Sequence, residues 1–101
     1  MKKTMSAQQV RRAILDKASA SGLDLSEAKN AFIVANFTVQ RRQGPLLNAF
    51  SDETEAEKYA LEMHTGNTDV YVMSANPQYS LRKVVDKELV FVEEDASGNV
   101  A

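Results

Sequence analysis

Apolar and polar positions form their clearest pattern between residues 46 and 66. Leu46–Phe50 is a short apolar run that predicts a strand. After it, apolar residues recur at the i, i+3, i+4 and i+7 positions of a helix, namely Ala56, Tyr59, Ala60 and Met63. Asp52 and Glu55 have the spacing of a capping box at the start of this helix, and Gly66 suits the left-handed residue beyond its end. A strand that leads into a helix with one apolar stripe predicts a helix packed on a sheet.

A second helical pattern lies near the N-terminus. Ser6 and Gln9 have capping-box spacing, and a helix is predicted from about Ala7 to Ala20. Its apolar face consists of Val10, Ile14 and Ala18. Residues 1–5, which precede the cap, are expected to be frayed.

Residues 27–42 fit two periodicities. With period two, Ile33, Ala35, Phe37 and Val39 share one side, which predicts a strand from about Phe32 to Arg41. With a helical period, a stripe forms instead from Ala28, Ala31, Phe32 and Ala35. The strand is favoured because residues 37–39 are poor helix formers and because Gln43-Gly44-Pro45 predicts a turn directly into the next strand.

The region after the central helix predicts three more strands. Asp69–Ser74 alternates, and a final strand is expected from Leu89 to Glu93, after a tight turn at Asp86-Lys87. Between them, Asn76-Pro77 could begin a helix in which Leu81, Val84 and Val85 share a face. A strand from Tyr79 to Val85 is favoured, and residues 94–101 are expected to be a flexible tail.

These elements predict one α+β domain over residues 6–93, in the order α-β-β-α-β-β-β. Both helices are expected on one face of a largely antiparallel sheet. Much of the core is expected to come from Ile33, Phe37, Val39, Phe50, Ala56, Tyr59, Met63, Val70, Val72, Leu89 and Phe91.

Composition narrows the class of protein. With 44% hydrophobic and 26% charged residues, the chain falls among soluble globular proteins. It has no cysteine, which excludes disulfides, thiol nucleophiles and cysteine metal sites. No apolar run approaches the ~18 residues of a membrane span, so we expect no membrane association and a cytoplasmic location.

The net charge of −2 conceals an asymmetry, because residues 1–49 carry 8 basic and 3 acidic side chains whereas residues 50–101 carry 4 basic and 11 acidic ones. Either the two halves interleave and their charges mix, or a bipolar surface orients a charged partner.

Candidate catalytic chemistry is sparse. The single histidine, His64, has no histidine or cysteine partner at metal-ligand spacing, and it is expected to decorate the end of the central helix. The four glycines form no phosphate-binding cluster, which excludes Walker and Rossmann nucleotide sites. We therefore expect no catalytic residue, no cofactor, no metal and no enzymatic activity.

The hypothesis that remains is a protein-binding module. Arg41 and Arg42 lie at the predicted hairpin tip, and Leu61 lies opposite the apolar stripe of the central helix, next to Glu57. Further candidate contact residues are Arg82 and Lys83. The cysteine-free, motif-free composition resembles that of short stand-alone proteins of phages and mobile elements, many of which bind and inhibit one host protein.

Two other partners are considered. Open sheet edges would allow a homodimer. The alternative function is a nucleic-acid-binding, transcription-regulatory role through a basic face, since Ala18–Leu23 has the spacing of the turn in a helix-turn-helix. A chain with a net negative charge, however, gains little affinity for nucleic acid from the release of counterions.

Overall fold

The computed structural model of the chain describes residues 6–23, 31–38, 45–65, 68–74 and 80–92. These residues form two helices and five strands: α1 (Ala7–Ala20), β1 (Phe32–Thr38), β2 (Leu46–Phe50), α2 (Glu53–Met63), β3 (Thr68–Ser74), β4 (Leu81–Val85) and β5 (Glu88–Phe91). The α+β class and the order α-β-β-α-β-β-β are confirmed, as is the choice of strand over helix for residues 32–37 and 81–85.

Both ends of α1 are fixed by local hydrogen bonds. Ser6 Oγ accepts from the Gln9 backbone N–H at 3.2 Å, and Gln9 Oε1 accepts from the Ser6 N–H at 2.9 Å, so the predicted capping box is present. At the other end, Gly22 adopts φ +79° and the Leu23 N–H bonds to the Ala18 carbonyl at 2.9 Å. This is a Schellman motif, which only a residue free to adopt positive φ closes without strain.

The start of α2 shows the predicted cap with one of the two bonds of a capping box. Asp52 is the N-cap, and its carboxylate accepts from the Glu55 N–H at 3.3 Å. Ala56 and Ala60 are buried, which lets the helix axis lie close to the sheet. The helix ends at Met63, and His64 follows it in an extended conformation with ψ 131°.

All neighbouring strands are antiparallel, in the order β2-β1-β3-β4-β5. The long β1 and β3 therefore form the centre, with Val34 opposite Val72. The β4–β5 turn consists of Asp86 and Lys87, both with positive φ, 52° and 65°. A two-residue hairpin turn with positive φ at both positions is type I′, the type whose twist matches that of the strands.

The two helices lie on opposite faces of the sheet, so the expectation of one shared face is wrong. Val10 and Ile14 of α1 pack with Ile33, whereas Ala56 and Ala60 of α2 pack with Val34 and its neighbours on the other side. Successive strand residues point to opposite faces, so a core on each side requires apolar residues at every position of the central strands. Four consecutive residues are buried at 33–36 and at 70–73, and all of them except Asn36 have largely apolar side chains.

Most of the predicted core is observed. Among its members, Ile33, Ala56, Val70 and Val72 are fully buried, and the half-buried Phe37, Phe50, Tyr59, Met63 and Leu89 pack against the two clusters. Phe91 is the exception, because β5 is the outermost strand and its side chain is 67% exposed. Val39, Gly66, Arg41, Arg42, residues 1–5 and residues 94–101 lie outside the described residues.

Candidate functional site

Arg82 is the centre of the most organised polar cluster among the described residues. It pairs with Val72 in the sheet, so its side chain points to the α2 face. There Arg82 Nη1 donates to Glu57 Oε2 at 2.6 Å, and Nη2 donates to Glu53 Oε2 at 3.1 Å. The Arg82 side chain is only 15% exposed. Two carboxylates one helical turn apart therefore hold the guanidinium in a fixed orientation.

Phe91 covers the other side of this guanidinium. Arg82 and Phe91 are cross-strand partners, and the guanidinium carbon lies 5.9 Å from the ring centroid. This distance is that of a cation–π contact. Most of the ring is nevertheless open to solvent, so an aromatic side chain is held in place on an exposed surface.

Leu61 extends the same surface along α2. It follows Glu57 by four residues and so lies on the same side of the helix, where it is 40% exposed. We call the set formed by Glu53, Glu57, Leu61, Arg82 and Phe91 the Arg82 surface. Of the residues singled out from the sequence, Glu57, Leu61 and Arg82 are thus brought together.

Lys83 belongs to the opposite face of the sheet. Its ammonium lies 5.7 Å from the Tyr71 ring centroid and 3.8 Å from a carboxylate oxygen of Asp69. Burial, with a smaller contribution from the Asp69 carboxylate, raises the pKa of Tyr71 to about 12. Phe37 meets the Tyr71 ring edge-on at a centroid distance of 5.5 Å. Lys83 is therefore separated by the sheet from the Arg82 surface.

A shallow groove of about 480 Å³ lies on the other flank of α2. Phe50 and Tyr59 form an aromatic pair there, with centroids 5.2 Å apart, and the Tyr59 hydroxyl donates to Asn48 Oδ1 at 3.1 Å. The other lining side chains are Asp52, Thr54, Glu55, Lys58 and Glu62. Asp52 already serves as the helix cap, and the groove presents a mixed polar wall.

The described part of the chain holds neither a cluster of metal ligands nor a membrane-spanning helix. Within the described ranges, no three histidine, cysteine, aspartate or glutamate side chains are grouped so as to hold a metal ion. Neither α1 nor α2, the two helices in that part of the chain, has the length and apolar character needed to cross a bilayer.

The exposed apolar residues at the β5 edge were missed from the sequence. Val85 and Val90, on the α1 face, are 43% and 47% exposed, and Phe91 projects from the α2 face. The sequence does contain one sign of this exposed edge. A strand with one buried face would have a polar residue between Leu89 and Phe91, but this position is Val90. Glu53 was also missed, since its pairing with Arg82 spans 29 positions of sequence.

Comparison of the chain with family models, with curated proteins and with solved structures finds no match.

Proposed function

We propose that this chain is a non-enzymatic protein-binding module that contacts its partner through the Arg82 surface. The observation that carries the proposal is the exposed Phe91 ring held against Arg82. Arginine and aromatic residues dominate the binding energy of protein interfaces, and here both are ordered before any partner arrives. Little side-chain entropy remains to be lost on binding, which favours affinity.

The chemistry of the surface indicates the kind of partner. Phe91 and Leu61 offer apolar contact, whereas Glu53 is more than half exposed and has acceptor capacity beyond its bond to Arg82. Residues 50–101, to which this surface belongs, carry a net charge of −7. A protein surface with an apolar centre and a basic rim is the complement.

The nucleic-acid alternative is less well supported by the same residues. A phosphate-binding face needs basic side chains that are free to release counterions. Arg82 already bonds to two carboxylates, and Lys83 lies near Asp69 on the other face. Among the described residues, these two candidate cations therefore do not form one phosphate-binding patch.

Affinity capture from a cell lysate tests the proposal, at low and high salt and with or without nuclease. The informative variants are Leu61→Ser and Phe91→Ser. Leu46→Ser is the control matched to Leu61, because Leu46 is exposed to a similar extent on the opposite outer strand. We expect one captured protein that survives nuclease and is lost, at least ~10-fold, with either surface variant but not with the control.

Two outcomes would contradict the proposal. Capture that collapses with nuclease would select nucleic acid. Capture that is unchanged in both surface variants would place the contact elsewhere on the chain.

A further inference from the structure

We propose that the free edge of β5 pairs antiparallel with β5 of a second copy, with the two-fold axis at Val90. The inference extends the proposed function, because it names one protein partner for this side of the molecule, and it uses the backbone edge of β5 together with Phe91, one member of the Arg82 surface. Within the described residues β5 is an outer strand that has β4 on one side only. Such a strand is a template for further pairing unless it is blocked.

The hydrogen bonds to β4 define which backbone groups are free. The Val92 N–H bonds to the Leu81 carbonyl at 2.9 Å, and Glu88 pairs with Val85 directly beside the two-residue turn. Along an antiparallel strand, successive residues direct their backbone groups to alternate sides. The residues at 88, 90 and 92 therefore face β4, so Leu89 and Phe91 direct their N–H and C=O groups outward.

Among registers confined to residues 88–92, the positions of these outward groups favour one. With the axis at Val90, Leu89 of each copy lies opposite Phe91 of the other, and both members of each pair have outward groups. Two such pairs, each exchanging two bonds, give four hydrogen bonds between the copies. With the axis at Leu89 instead, Phe91 would lie opposite Lys87, a turn residue with φ 65° that is not part of the strand.

Side chains also match in this register. On the α2 face, the Phe91 ring, which contacts Arg82 on one side, meets Leu89 of the other copy on its open side. On the α1 face, Val90 meets Val90, next to the exposed Val85. Glu88 lies opposite Val92, so the strand's only charged side chain does not face its own copy.

The pairing covers two of the exposed apolar side chains at this edge. Val90 lies at the axis and Phe91 beside it, and two five-stranded sheets become one sheet of ten strands. A two-fold axis perpendicular to the sheet keeps each face on its own side. The two Arg82 surfaces thus lie side by side as one larger contact surface. A single strand pair is a small interface, so the dimer is weak and depends on concentration.

Charge complementation at Val90 tests the register directly. The full chain is studied by sedimentation up to ~1 mM, as the parent and as the variants Val90→Glu and Val90→Lys. Each variant places like charges opposite one another and should weaken the dimer at least ~10-fold, whereas a mixture of the two should form a mixed dimer visible by native mass spectrometry. Leu46→Glu and Leu46→Lys, on the other outer strand, are controls that should dimerise as the parent does.

A measurement on the unmodified chain supports the test if a Val90 variant fails to fold. The Leu89 and Phe91 amides should gain protection from hydrogen exchange as the concentration rises. The pairing would be overturned if the parent stays monomeric or if neither Val90 change weakens the dimer. It would also be overturned if the mixture of Val90 variants dimerises no better than each variant alone, or if the Leu46 controls lose the dimer. If the chain is monomeric but still captures a partner through Leu61, only the dimer is overturned. If the chain dimerises but captures no other protein, only the proposed function is overturned.

Discussion

Arg82 and Glu57 lie 25 positions apart in sequence and are joined by a 2.6 Å hydrogen bond between their charged groups. The bond ties β4 to α2 at a partly buried position, where a charge pair is screened less than at an open surface. A double-mutant cycle with Glu57→Gln and Arg82→Gln should give a coupling free energy of about 1 kcal/mol in urea unfolding. Glu62→Gln, an exposed change on the same helix, should be neutral. Additive effects of the two mutations would show that the pair is energetically silent.

Asn36 is a buried polar residue whose Oδ1 has no hydrogen-bond partner among the described residues. An unsatisfied buried carbonyl costs stability, and its β3 neighbour Val70 is apolar. Asn36→Val should therefore raise the free energy of unfolding by about 1–2 kcal/mol. Asn48→Val on the same face is the contrast, because Asn48 accepts a bond from Tyr59 and its loss should be destabilising. A destabilised Asn36→Val variant would mean that the amide is satisfied in solution.

The raised pKa of Tyr71 predicts a loss of stability in alkali. The unfolded chain releases the phenolic proton near the ordinary pKa of 10.0, whereas the folded chain retains it to about 12. Between these values the unfolded state binds fewer protons, so the free energy of unfolding falls as the pH rises, by about 3 kcal/mol in total. The measurement is urea unfolding at pH 9, 10, 11 and 12 for the parent and Tyr71→Phe. Lysine deprotonation affects both proteins, so parallel curves would contradict the prediction.

The β4–β5 turn carries a lysine in a conformation that favours glycine. Lys87 has φ 65°, at which a side chain is strained, whereas glycine adopts it freely. Lys87→Gly should stabilise the protein by about 0.5–1 kcal/mol, measured as a higher thermal midpoint. Lys87→Ala, which removes the same charge and keeps the Cβ, is the control and should not stabilise. Equal midpoints for the two variants would indicate that charge, and not backbone strain, governs this position.

Local structure was predictable because its causes are local. The cap of α1 depends on Ser6 and Gln9, three residues apart, and the turn at Asp86-Lys87 needs only its own backbone conformation. The element order follows from such signals. The sequence also carries evidence for helices on both faces, since residues 32–35 are continuously apolar, whereas period-two alternation alone indicates one buried face.

The Arg82 surface could not be assembled from the sequence alone. The two hydrogen bonds of Arg82 join it to glutamates that are 25 and 29 positions earlier in the sequence. No hydrophobic periodicity relates a strand residue to a helix that far away. The exposure of Phe91 depends on strand order, because the same alternation would bury this residue in an inner strand and expose it in an outer one. Glu57, Leu61 and Arg82 were therefore identified singly, without the geometry that relates them.

The central position of β1 has a consequence for how the protein is made. β1 ends at Thr38, but its two neighbours, β2 and β3, end only at Phe50 and Ser74. During synthesis, therefore, 36 more residues (74 − 38) must be added after β1 before its second neighbour is complete. Until then β1, which is apolar on both sides, has no complete sheet to cover it. Such a segment is the kind that associates with other nascent chains or engages a chaperone. The yield of properly folded protein should accordingly respond more to translation rate and growth temperature than to the stability of the finished fold.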